Sequence, residues 1–174
     1  YKIRRIHIGF IMFDPYVTID ELQENLNYLQ QIEYTKVCRF ESPITLFNRL
    51  KGYPGTPIYK KLEKEGMLPD ENNDYEFLDI NVKKLYSFIN EWSGKVYEIY
   101  KLMPAWIFRD LMAAGEVIKA KQVYELAYKY MEIDALFFEK ILELFSSGLV
   151  FDEQVHRLMN SYQNDMSKIY VELK

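Results

Sequence analysis

The chain is poor in the residues that build reactive centres. Among 174 residues it has one cysteine, Cys38, and two histidines, His7 and His156. A single cysteine excludes an internal disulfide, and with it any zinc or iron–sulfur site that draws several thiolates from this chain. The two histidines are too far apart for a metal motif. Gly-rich phosphate loops and nucleophile elbows are missing as well. No run of about eighteen apolar residues is present, so no segment reads as a membrane span, and the first residues are not laid out as a signal peptide. Positive charge is in slight deficit, with Lys+Arg at 22, Asp+Glu at 26 and a net charge of -4. Such a chain is a poor binder of phosphate backbones. We therefore expect no nucleic-acid partner, no membrane partner and a cytoplasmic location.

What is present is core-forming material. The hydrophobic fraction is 49% and the charged fraction 28%, with 15 tyrosines and 11 phenylalanines. This balance excludes a disordered segment and suits one domain, or one plus an appendage. The chain opens on Tyr1 inside a strand-like stretch, which leads us to expect a piece of a longer protein.

Ile3 to Phe13 begins with alternation and becomes apolar on both faces, the pattern of a strand covered on both sides. Asp14-Pro15 ends it. Thr18 and Glu21 then form a capping-box pattern, Val17 and Leu22 a hydrophobic staple, and Leu22, Leu26, Leu29 and Ile32 an apolar stripe, which predicts a helix over 19–32. Val37 to Phe40 fits a short strand or a helical turn. Ile44 to Tyr53 reads as a second strand. Tyr53-Pro54-Gly55-Thr56-Pro57 is a compact turn whose Thr56 caps a helix from Ile58 to Glu65, stopped by Gly66. Strand, helix, strand, helix in this order indicates parallel pairing through a right-handed crossover.

A polar stretch from Met67 to Ile80 separates this region, 1–68, from a second, 69–174, whose pattern is helical throughout. Val82, Leu85, Ile89, Trp92, Val96, Ile99 and Met103 form one seam in steps of three and four. Pro104 interrupts it. Further helices are predicted from Ala105 to Ala114, from Val117 to Met131, from a cap at Asp134 to Gly148, and from a cap at Asp152 to the end. No fixed repeat period is visible. The expected fold class is α+β and mostly helical, a βαβα piece followed by an all-α domain.

Single residues read blandly. Cys38 reads as a small buried hydrophobe, His7 as a core histidine, Lys60, Lys61 and Lys64 as a solvated face, and Tyr97, Tyr100, Tyr124 and Tyr128 as packing. Two segments rise above this. Gly9 to Pro15 places a glycine in a buried strand and a carboxylate at its end, and Tyr53 to Pro57 forms a rigid turn after the second strand. Parallel α/β folds collect ligands at the carboxyl ends of strands, so both point at one rim. A plain turn at Asp14 and a positive φ at Gly55 account for the same residues equally well.

Gly9-Phe10-Ile11-Met12-Phe13-Asp14-Pro15, Thr18 with its leucine-striped helix, Tyr53-Pro54-Gly55-Thr56-Pro57-Ile58-Tyr59 and Glu65-Gly66-Met67-Leu68 together resemble the later half of radical SAM proteins. The resemblance is to the group with an N-terminal cobalamin-binding domain, which includes proteins labelled Mg-protoporphyrin IX monomethyl ester oxidative cyclase. It spans residues 1 to about 68. It implies an incomplete TIM-type barrel of six parallel strands, of which this chain holds the last two. In that family S-adenosylmethionine and a [4Fe-4S] cluster lie at the barrel top, and whether cobalamin takes part here is left open. The resemblance implies cofactor-binding roles for Gly9, Phe10, Ile11, Met12 and Phe13 near the adenosyl group. It implies a cavity border at Tyr53, Pro54, Gly55 and Thr56, with Asp14 at the rim. The three-cysteine cluster motif is missing, so no cofactor, metal ligand or catalytic residue is expected in this chain alone. The expected partners are the missing N-terminal part of the parent chain and the parent's small-molecule substrate. Self-association, or covering of the cut sheet by the C-terminal helices, is also expected. The alternative is a non-catalytic helical module that binds a partner protein through an apolar groove.

Overall fold

Six helices carry most of the fold in the computed structural model of the chain, which describes residues 10–33, 46–68, 75–102, 105–148 and 150–173. They are α1 (Ile19–Gln31), α2 (Pro57–Lys64), α3 (Ile80–Lys101), α4 (Ala105–Ala113), α5 (Val117–Ser146) and α6 (Asp152–Leu173). The protein is mostly helical. No strand occurs among the described residues.

The local signals explain most of the helix ends. The Glu21 amide donates to Thr18 Oγ1 at 3.2 Å and the Thr18 amide to Glu21 Oε2 at 2.8 Å, closing the capping box of α1. Thr56 Oγ1 accepts from the Tyr59 amide at 3.3 Å, with Pro57 at the first helical position of α2. Gly66, Gly115 and Gly148 follow α2, α4 and α5 with φ of 69°, 78° and 81°, a conformation that a Cβ would strain.

Three expectations need correction. Residues 3–9 of the expected first strand and 44–45 of the second lie outside the described residues. Within the second, Leu46 and Phe47 form a 3₁₀ turn and only Arg49 pairs, with Phe13, in an isolated parallel bridge. The Phe13 and Met12 amides both donate to the Asn48 carbonyl at 3.0 Å, and the Leu50 amide donates to the Phe13 carbonyl at 2.7 Å. The pairing stops there because Asp14 starts a turn and Pro15 has no N–H to give. The second correction concerns Asp134, which was expected to start a helix. It lies inside α5, which runs unbroken for 30 residues. The third is Asp152, which is the first residue of α6 rather than its cap and pairs with Lys84 at 2.8 Å. Cys38, His7, Met103 and Pro104 lie outside the described residues.

One core runs through the described chain. Val82, Leu85, Ile89, Trp92, Val96 and Ile99 of the α3 seam are all buried. The long α5 packs against α1, α3, α4 and α6, while α3 also packs on α6. Phe138 of α5 meets Phe13 at 6.1 Å and Phe47 at 5.5 Å between ring centroids. The C-terminal helices therefore cover one side of the paired stretches, and the core does not divide at residue 68.

Candidate functional site

Parallel pairing of Phe13 with Arg49 places the segments that follow them at the same end, where the two sequence-selected stretches were expected to meet. Gly9 lies outside the described residues. Phe10 is half-buried and stacks on Tyr28 of α1 at 6.3 Å, and its carbonyl accepts from Asn48 Nδ2 at 3.3 Å. Ile11 is exposed, whereas Met12 and Phe13 are buried in the core. Asp14 Oδ1 accepts from the Tyr16 amide at 2.8 Å, a side-chain-closed turn. Tyr16 continues toward α2, donating its hydroxyl to Glu65 Oε2 at 2.6 Å, with the Lys61 ammonium 3.9 Å from its ring centroid. Burial, and then the bond to Glu65, push the Tyr16 phenol up.

Tyr53, Pro54 and Gly55 are exposed and Thr56 is half-buried. The Thr56 amide donates to the Tyr53 carbonyl at 3.1 Å, and Gly55 has φ of 87°. Proline second and a positive-φ glycine third is the signature of a type II turn. A Cβ on Gly55 would meet nothing within 4 Å, so the cost of a side chain there is backbone strain alone. Gly55→Val is expected to lower stability by about 1 kcal/mol or more. Equal urea midpoints for variant and wild type would refute that.

A feature invisible in the spacing lies across the paired stretches. The Tyr75 hydroxyl donates to the Phe13 carbonyl at 2.9 Å, and the Leu78 amide to the Pro15 carbonyl at 2.9 Å. Beneath this crossing the Arg49 guanidinium donates to the Tyr75 carbonyl and lies 4.0, 4.8 and 5.2 Å from the ring centroids of Tyr75, Phe77 and Tyr86. Burial pushes the Tyr75 phenol far up, against a smaller downward pull from Arg49. The box holds a cation by ring faces in a place of low dielectric. It secures the segment from Tyr75 to Leu78 over the end where Asp14 sits. Asp14 is tied to its own backbone, and burial favours the neutral form of the Tyr75 phenol.

The second polar centre is in the helices. Asp134 is buried, and its Oδ1 accepts from Trp92 Nε1 at 2.7 Å. Burial pushes its carboxyl up to about 7, while Trp92 and the Tyr130 hydroxyl oppose the rise. Burial, followed by Asp134, likewise pushes the Tyr130 phenol up. The sequence signal was available: Tyr130 and Asp134 are four apart on one helical face, amid Met131, Phe137 and Phe138. Asp was read instead for its preference for helix starts.

Among the described residues no group of three or more His, Cys, Asp or Glu side chains could hold a metal, and no helix is long and apolar enough to cross a membrane. His156 pairs with Glu91 at 3.2 Å and lies edge-on to Phe88. Comparison with known families, curated proteins and solved structures finds no match: no family model fits the chain, and neither a curated sequence nor a solved structure is significantly similar.

Proposed function

We propose that the chain is the C-terminal part of a radical SAM protein of the cobalamin-binding-domain group, contributing the last two stretches of a partial barrel and a helical cover. The observation that carries this reading is the parallel contact of Phe13 with Arg49, with α1 lying between the two in sequence. An antiparallel hairpin would have ended it. The ordered motifs from Gly9 to Leu68 and the positive-φ turn at Gly55 support it further.

The residues present do not fit the iron–sulfur cluster, which needs three thiolates where the chain has one cysteine. The cluster, S-adenosylmethionine and any cobalamin belong, on this reading, to surfaces supplied mainly by the parent's other segments. This chain's share is limited by its own packing. Met12 and Phe13 spend their side chains on the core, which leaves Phe10, Ile11, Asp14 and the turn from Tyr53 to Thr56 to border a ligand. A cytoplasmic location goes with the reading.

The test starts from the upstream reading frame, which is expected to encode a Cys-x-x-x-Cys-x-x-Cys segment. The full-length protein, reconstituted anaerobically with iron and sulfide, is expected to release 5′-deoxyadenosine from S-adenosylmethionine. An upstream frame without the cysteines, or a reconstituted protein that leaves S-adenosylmethionine intact, removes the enzyme reading and favours the non-catalytic helical module.

A further inference from the structure

Beside α1 the long α5 presents a face that the core does not use up. Glu132, Ala135, Leu136 and Glu139 follow in steps of three and four, so they share one side of the helix. With the buried Leu26, Leu29 and Leu46 they line an open groove of about 160 Å³. A cavity of about 150 Å³ with aliphatic and aromatic walls takes up benzene, so this groove has room for one phenyl or branched aliphatic side chain. Leu136 stands 41% exposed in its wall, apolar surface that such a side chain would cover.

The rim of the groove is negative. Glu132 is exposed and makes no ion pair among the described residues. Glu139 Oε2 accepts from Gln30 Nε2, a neutral donor on the opposite wall, at 3.2 Å. Across the groove α1 carries Asp20, Glu21 and Glu24 and neither lysine nor arginine. On α5, Lys140 next to Glu139 is held by Glu143 at 2.7 Å, and Lys129 does not line the groove. Seven residues of helix put Glu132 and Glu139 about 10.5 Å apart, with Leu136 between them.

We propose that this groove docks a basic amphipathic helix of a partner protein. The partner inserts one phenylalanine or leucine against Leu136 and sets a lysine or arginine on each side of it, against Glu132 and Glu139. A helix with its anchor at one position and bases four before and three after presents all of them on one face. Its two charges then lie about 10.5 Å apart, the spacing of the two glutamates. The anchor supplies most of the affinity, whereas the exposed charge pairs set orientation and choice of partner. An acidic helix is turned away by the same two carboxylates. The proposal stands apart from the radical SAM reading, since Leu136 and both rim acids lie outside the motifs that carry it.

The probe is a fluorescein-labelled, alanine-rich helical peptide with one phenylalanine and a lysine at each of those flanking positions. It is titrated with the intact chain and followed by anisotropy. Matched peptides carry glutamates for the lysines, or alanine for the phenylalanine. The lysine peptide should saturate and bind about tenfold tighter than either of the others. Leu136→Lys, a change at a partly exposed position, should abolish that binding with the circular dichroism spectrum retained. Glu132→Lys, at an exposed position, should cut the preference for the lysine peptide severalfold. Failure to saturate, equal binding of the lysine and glutamate peptides, or a preference unchanged in Glu132→Lys would overturn the proposal. A chain that light scattering shows to be a dimer, and that Leu136→Lys makes a monomer, would give the groove to a second copy and overturn it too.

Discussion

Asp134→Asn is expected to be more stable than the wild type at about pH 8 and to lose that advantage as the pH falls. In the native state burial holds the Asp134 carboxyl up to about 7, against an ordinary value of 3.8. Between these two values the folded chain holds a proton that the unfolded chain has released. The contribution of this group to stability is therefore fully present below about pH 3.8 and is lost as the pH rises toward about 7. Three units at about 1.4 kcal/mol each put the loss at up to about 4 kcal/mol. Asparagine keeps a carbonyl oxygen for Trp92 Nε1 and carries no charge, so it imitates the protonated acid at every pH.

Other carboxyls run the opposite way. The exposed Asp152 is held down by its bond to Lys84 and favours folding at higher pH. For that reason the quantity to measure is the difference between variant and wild type, by urea titration at about pH 4.5, 6 and 8. The difference should widen steadily with pH. Parallel stability curves would show that Asp134 is ionised in the native state as easily as in water.

The second large effect is expected at Phe138. This side chain is fully buried and sits edge-on to Phe13 and Phe47, with interplanar angles of 65° and 73°. It is where α5 closes on the paired stretches of the first third. Phe138→Ala should cost about 3–5 kcal/mol, combining lost transfer energy, a cavity and broken edge-to-face pairs. Domain stabilities run to about 5–15 kcal/mol, so the variant would lie near the edge of folding. Phe151 is the control, because it is 62% exposed and its truncation should change stability by less than about 0.5 kcal/mol. Guanidinium titration of both variants decides the matter. A Phe138→Ala midpoint as close to wild type as that of Phe151→Ala would mean that the first third does not depend on the helices.

Helix starts and stops were legible because they are settled within a few residues. Thr18 with Glu21, Thr56 with Pro57, and the glycines at 66, 115 and 148 act on neighbouring backbone groups, and each does what its local pattern implies. The α3 seam was legible for a related reason: steps of three and four leave one face to bury, whatever it meets. The second strand was not legible. Leu46, Phe47 and Leu50 are apolar at spacings that serve a strand or a turn, and contact with α5 selected the turn for Phe47. Of the candidate rim, the turn at Gly55 could be read residue by residue, whereas the crossing by Tyr75 could not. Sixty-two residues separate Tyr75 from Phe13, and no local pattern joins them.

Composition and short-range pattern alone determined that this chain is mostly helical, has no thiolate set for a cluster and places its helix ends where caps and glycines stand. Tertiary packing decided the remainder. It made Asp134 a helix-interior acid, since the indole of Trp92 from another helix supplied the partner that a helix start would otherwise have offered. It also set Arg49, which no local pattern marks, at the centre of an aromatic box. The physical reason is the same in both cases. A cap or a turn is satisfied by atoms a few bonds away, but a desolvated charge is satisfied only by groups that folding brings from elsewhere in the chain.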